Sequence, residues 1–137
     1  MYVQDVPNLW DSEQSMSIKE LAGYKMIIVP EGNDVATGLK WALLSTSAVV
    51  MPKPRVVGWL MEDMLVPWTH FIPVEEDFSD LEEKVKWCLK NSAACEDIGL
   101  NGRCYILQFL DTQREESITL EVLKRGIAVQ QSFGLCT

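Results

Sequence analysis

The sequence predicts an α/β fold, a parallel sheet covered by helices, on three observations. Two short and wholly apolar runs, 26–29 and 48–51, read as strands buried on both faces. The segments beside them repeat apolar residues at helical spacing. The elements then alternate strand, helix, strand, helix, strand, helix, the order in which crossover helices join parallel strands.

Each element has its own signal. A third strand is expected over 69–74, ending near Pro73. Helices are expected over 34–45 and 56–64. Ser79, with Glu82 three residues on, makes a capping box for the next helix. Leu81, Val85, Cys88 and Leu89 form its apolar face, and Glu82 and Lys86 an i,i+4 ion pair. A further helix follows Ser92 and is expected to break near Asn101 and Gly102. Thr112 and Glu115 read as a second capping box before the last helix. A doubly wound sheet has roughly five or six strands. With three, the chain is expected to be the later part of a larger unit.

Composition narrows the class. The chain has 137 residues, 47% hydrophobic and 23% charged, which suits one globular domain. Twenty acids against twelve bases leave a net charge of -8, arguing against a nucleic-acid or anionic-membrane binder. No run approaches the ~18 apolar residues of a membrane span, and no leader pattern opens the chain. A soluble protein is therefore expected. Cys88, Cys95, Cys104 and Cys136 form no C-x-x-C pair and His70 is the one histidine, so no zinc spacing exists. Cys88 reads as a buried free thiol, and four thiols point to a reducing compartment.

The stretch after the first strand is the candidate binding site. Ligands of open α/β sheets sit beyond the carboxyl ends of the strands. There Gly32 permits positive φ or close backbone approach, and Asn33 or Asp34 can cap a helix. Its first free amides would favour an anion. In a helix from Asp34, the residues Asn33, Thr37 and Lys40 share one stripe, while Val35, Leu39, Ala42 and Leu43 face the sheet. An amide, a hydroxyl and an ammonium above free backbone amides suit a phosphate or pyrophosphate. The alternative, which geometry alone favours, is the solvated face of an amphipathic helix. Neither G-x-G-x-x-G nor G-x-x-x-x-G-K-[ST] occurs.

Other residues are weighed the same way. Lys53 and Arg55, between and after Pro52 and Pro54, lie on the ligand side or in a rigid solvated loop. His70 reads as a structural histidine. Trp41 and Trp59 are the tryptophans to expect at a ligand, Trp68 and Trp87 in packing. No D-x-D triplet occurs, so no metal is expected.

The blocks EGNDVATGLKWALLSTSAVVMPKP, PWTHFIPV, DFSDLEEKVKWCLKN and NGRCYILQFL, in this order, resemble family-90 glycosyltransferases. That family includes capsule-associated proteins, protein O-glucosyltransferases and bacterial lipopolysaccharide glycosyltransferases, and the EGNDVAT form is nearest the last. The resemblance covers 24–111. It implies a Rossmann-like, three-layer parallel sheet, the C-terminal donor-binding domain of a GT-B enzyme. The donor would be a nucleotide-sugar, UDP-linked, needing no further cofactor; the acceptor would be a glycan or lipopolysaccharide.

The resemblance also carries residues. Gly32 matches the glycine of the family's turn-helix motif and Lys40 its basic residue, while Gly38 stands where many members carry a diphosphate-facing arginine. The expected donor-site set is therefore Glu31, Gly32, Asn33, Asp34, Thr37, Lys40 and Lys53. The acceptor site and general base are expected in an N-terminal domain outside this sequence, so no residue here is assigned as catalytic. Residues 1–23 read as a lead-in, 24–111 as a partial nucleotide-sugar-binding domain and 112–137 as a C-terminal helix and tail. Self-association or pairing with the N-terminal domain is expected, in the cytoplasm or peripheral to the inner membrane. The rival reading is a truncated, non-catalytic nucleotide-binding or domain-interaction module.

Overall fold

The computed structural model describes residues 16–133. A short helix, α1 (Ile18–Leu21), opens this part behind a capping box. The Ser17 side chain accepts from the Glu20 amide, and the Glu20 carboxylate accepts from the Ser17 amide. Strands β1 (Met26–Ile28), β2 (Ala48–Met51) and β3 (Ile72–Pro73) form one parallel sheet in the order β1-β2-β3. Register pairs Ile27 with Val49 and Val50 with Ile72. All three strands lie where the apolar runs place them.

Alternation along the strands builds two cores. Ile27, Val29, Val49, Met51 and Phe71 pack on one face with Leu39, Ala42 and Leu43 of α2 (Gly38–Leu44). Ala48, Val50, Ile72 and Val74 pack on the other with Cys88 of α3 (Leu81–Lys90) and Cys95 and Ile98 of α4 (Ser92–Leu107). The sheet thus lies between helices, a layered α/β arrangement. β1 departs from the expectation of burial on both faces, because Ile28 is 48% exposed. It is an edge strand, and α3 and α4 cover β2 and β3 instead.

Four helix boundaries differ from the sequence reading. The helix expected over 34–45 starts only at Gly38, with Thr37 in the cap position and 30–37 irregular. Over 56–64 only the 3-10 turn Glu62–Met64 forms, set by left-handed Met61 (φ 53°). α3 starts at Leu81 behind Asp80 rather than Ser79, because Asp80 ties to Lys84 at 3.2 Å and to the Glu75 amide. α5 (Thr112–Ser132) is capped by Asp111, whose carboxylate accepts from the Arg114 amide. At both starts a neighbouring aspartate takes the cap position from the expected serine or threonine, Asp80 one residue after Ser79 and Asp111 one residue before Thr112.

α4 runs unbroken through Asn101 and Gly102. Its glycines serve close approach rather than a break. A Cβ on Gly99 would lie 2.1 Å from the Thr46 carbonyl oxygen, and one on Gly102 would lie 2.9 Å from that of His70. Those carbonyls precede β2 and β3, so α4 passes against the amino-terminal ends of the sheet. The opposite ends are left to the loops.

Candidate functional site

The loops after all three strands are joined through one chain of ion pairs, from Glu31 through Arg55 to Glu76. The Glu31 side chain is 12% exposed. It accepts from the Arg55 amide at 3.1 Å, the Val56 amide at 3.2 Å and Arg55 Nε at 3.0 Å. Arg55 then reaches Glu76 at 3.6 Å, so one guanidinium joins loops 30–37, 52–61 and 74–79. Burial opposes ionisation of Glu31, but the hydrogen bonds from Arg55 and Val56 outweigh it and hold the carboxyl below its ordinary range. Glu31, expected at the donor, is thus a clamp that positions the loops around it.

Beside the clamp lies a groove of about 410 Å³. Gly32, Asp34, Thr37 and Trp41 line it with Ile28 and Pro30, at the carboxyl end of β1. The structure therefore brings together three of the expected donor-site residues with Trp41, one of the two tryptophans expected at a ligand. The Asp34 carboxylate accepts from the Val35 amide at 2.7 Å, an internal turn bond. Gly32 has nothing within 4 Å of a built Cβ and no positive φ, so the turn itself does not demand glycine there. Asn33 is exposed on the same loop, outside any helix.

The stripe expected of Asn33, Thr37 and Lys40 does not form, because Asn33 precedes the helix by several residues. Lys40 does not line the groove in this structure. Its Nζ stands 5.5 Å from the centroid of the Trp59 ring, which is 61% exposed and meets Phe109 edge-on. Lys53 is exposed in the loop after β2.

Behind the groove lies a smaller cavity, about 10 Å³, lined by Glu31, Glu62, Met51 and Pro52. Val29, Val35 and Ala36 line both spaces and form the wall between them. Glu62 is only 2% exposed. Sequence alone assigns it no role; the one signal is an acid directly after the apolar run Trp59, Leu60, Met61. Its backbone is held from α4, where the Tyr105 hydroxyl lies 2.9 Å from the Leu60 carbonyl and 2.7 Å from that of Met61.

His70 is structural, as expected. Its Nδ1 accepts from the Val66 amide at 2.9 Å, and burial lowers its pKa. Among the described residues no group of three or more His, Cys, Asp or Glu is placed to hold a metal, and no helix is long and apolar enough to cross a membrane.

A helix-covered parallel sheet with its groove beyond the strands' carboxyl ends is the organisation of an α/β ligand-binding domain. Sequence comparison supplies the family: the chain belongs to glycosyl transferase family 90, whose profile matches residues 2–125. It is 38% identical over 110 residues to O-glucosyltransferase LpsA of Dichelobacter nodosus, covering 80% of this chain and 35% of that one. It is 28% identical over 110 residues to human protein O-glucosyltransferase 3, covering 80% and 21%. An uncharacterized protein of frog virus 3, 027R, is 35% identical over 113 residues, covering 80% and 12%. The chain thus spans about a third or less of the length of these relatives.

Proposed function

We propose that this chain forms the nucleotide-sugar site of a GT-B glycosyltransferase and, within a longer protein, serves glucosyl transfer from a UDP-sugar to a glycan or lipopolysaccharide. The observation that carries the reading is the groove of about 410 Å³ holding Gly32, Asp34, Thr37 and Trp41 beyond the edge strand. Glucose is the sugar named in the LpsA and human relatives. In the transfer an acceptor hydroxyl attacks the anomeric carbon, the bond to the diphosphate breaks, and the hydroxyl proton passes to a base. That base belongs to the acceptor side, and no residue of this chain is assigned to it.

The diphosphate is met by positive charge from this chain. Glu31 is already neutralised by Arg55, so it does not repel the donor. Gly38 leaves no arginine on α2, and the work falls to Lys40, which leaves its seat on Trp59 to reach the diphosphate, with Lys53 in the loop after β2. Lys40→Ala is expected to weaken UDP-glucose binding by about 1.5–3 kcal/mol, roughly tenfold to a hundredfold, with the fold intact. Arginine should restore part of the affinity. Titration calorimetry on matched variants reads this, and equal affinity for wild type and Lys40→Ala would return Lys40 to a solvated face.

The rival reading, a non-catalytic domain-interaction module, is favoured by α5. None of its residues is buried, and it carries Ile118, Leu120, Val122, Leu123 and Ile127 exposed on more than one side. Absence of any nucleotide-sugar binding by the wild-type chain would favour that reading.

A further inference from the structure

We infer that Glu62 is a specificity-determining residue of the donor site, its Oε1 accepting a hydrogen bond from one hydroxyl of the bound nucleotide-sugar. The inference rests on the donor reading above and deepens it. Glu62 Oε2 accepts from the Gly58 amide at 2.6 Å, whereas Oε1 is buried with no hydrogen-bond partner among the described residues. A buried carboxylate oxygen left in this state is costly, and native proteins rarely keep one without a use.

The surroundings say what it takes. The cavity at Glu62, about 10 Å³, has room for a single oxygen-sized group. No Lys or Arg of the described residues lines this cavity, and Arg55 on the neighbouring loop is committed to Glu31 and Glu76. A carboxylate accepts and does not donate, so the group that fits is a small hydrogen-bond donor, and on a nucleotide-sugar the small donors are its hydroxyls. Sugar and ribose hydroxyls have that chemistry, and so has a trapped water. The wall of Val29, Val35 and Ala36 puts the oxygen one side chain away from the groove. Val35 and Ala36 belong to the irregular segment before α2, where side chains can part without breaking a helix or a ladder. The backbone that presents Glu62 is also held deliberately: Met61 beside it is left-handed, and Tyr105 pins the carbonyls of Leu60 and Met61.

Discrimination follows from the geometry. A site built to hydrogen-bond a hydroxyl rejects an analogue lacking it, because the buried acceptor is then unpaired. The test titrates UDP-glucose, and analogues lacking one hydroxyl at a time on the ribose or the glucose, into wild-type and Glu62→Gln protein. In the variant the Gly58 amide claims the side-chain carbonyl, so an NH₂ replaces the acceptor in the cavity. Wild type is expected to lose about tenfold on one analogue of the series. Glu62→Gln should bind the parent about tenfold more weakly and no longer distinguish that analogue. Should Glu62→Gln fail to fold, as thermal melting will show, Glu62→Asp withdraws the same oxygen by one methylene and gives the same readout. A flat wild-type series, or equal discrimination in the variant, overturns the inference and assigns the cavity to a fixed water, leaving the donor site standing. No binding of UDP-glucose by wild type removes both.

Discussion

At the scale of single residues, Glu31 shows how an acid near a proposed anion site can be harmless to it. Three donors from Arg55 and Val56 converge on one carboxylate, and its folded pKa falls below the ordinary value of 4.5. The sign of the linkage follows. Its contribution to stability is complete above about pH 4.5 and is lost as pH falls through the lowered folded value. Glu31→Gln should therefore melt well below wild type at neutral pH, and the gap should close on acidification. Thermal melts of both proteins between neutral and acid pH measure it; a constant gap would mean that the carboxylate's charge is not what holds the loops. Glu62 is the opposite case, a carboxylate with one oxygen engaged and one free.

At the scale of elements, the end of α2 and the middle of α4 are fitted to each other. After Ser45 the chain turns through Thr46 at φ 71°, a conformation that disfavours a β-branched residue and suits glycine just past a helix end. The Thr46 side chain is exposed, so it contributes no packing in return. Thr46→Gly is expected to stabilise the protein by about 1 kcal/mol, read as a higher denaturation midpoint. The carbonyl of the same residue lies where a Cβ on Gly99 would sit, 2.1 Å away. Because the obstruction is backbone, relief requires moving α4 off the sheet. Gly99→Ala should cost at least about 1–3 kcal/mol in urea unfolding, while Gly126→Ala, with open space around it, should cost nothing. Equal effects of the two alanines would show that α4 does not pack this closely.

For the whole molecule, the sheet is small and its surface unfinished. β1 is an edge strand with Ile28 exposed, and the whole of α5 carries apolar residues into solvent. Such surfaces pair with something. Relatives more than twice as long as this chain have further chain to do so. On its own the protein is expected to self-associate, which sedimentation velocity over a concentration series will show. A strictly monomeric profile at high concentration would mean that these faces are tolerated in water.

The amino-acid sequence determined by itself the features that depend on neighbours along the chain. Two strands announce themselves as unbroken apolar runs, Cys88 falls on the buried stripe of α3, and Glu82 and Lys86 meet at 2.6 Å as their i,i+4 spacing requires. The family, too, is legible in blocks of consecutive residues. Of the candidate groove, only the location and the lining by Gly32, Asp34, Thr37 and Trp41 were legible. Its working arrangement depends on partners far apart in sequence, which periodicity does not encode. Glu31 met Arg55 because the loops after β1 and β2 lie side by side, and Lys40 met Trp59 because α2 starts at Gly38. Glu62 became a buried acceptor because Tyr105 of α4, over forty residues away, holds the turn that carries it. A carboxylate reads the same in sequence whether solvated, paired or orphaned; only the packing of three loops and a distant helix decides which.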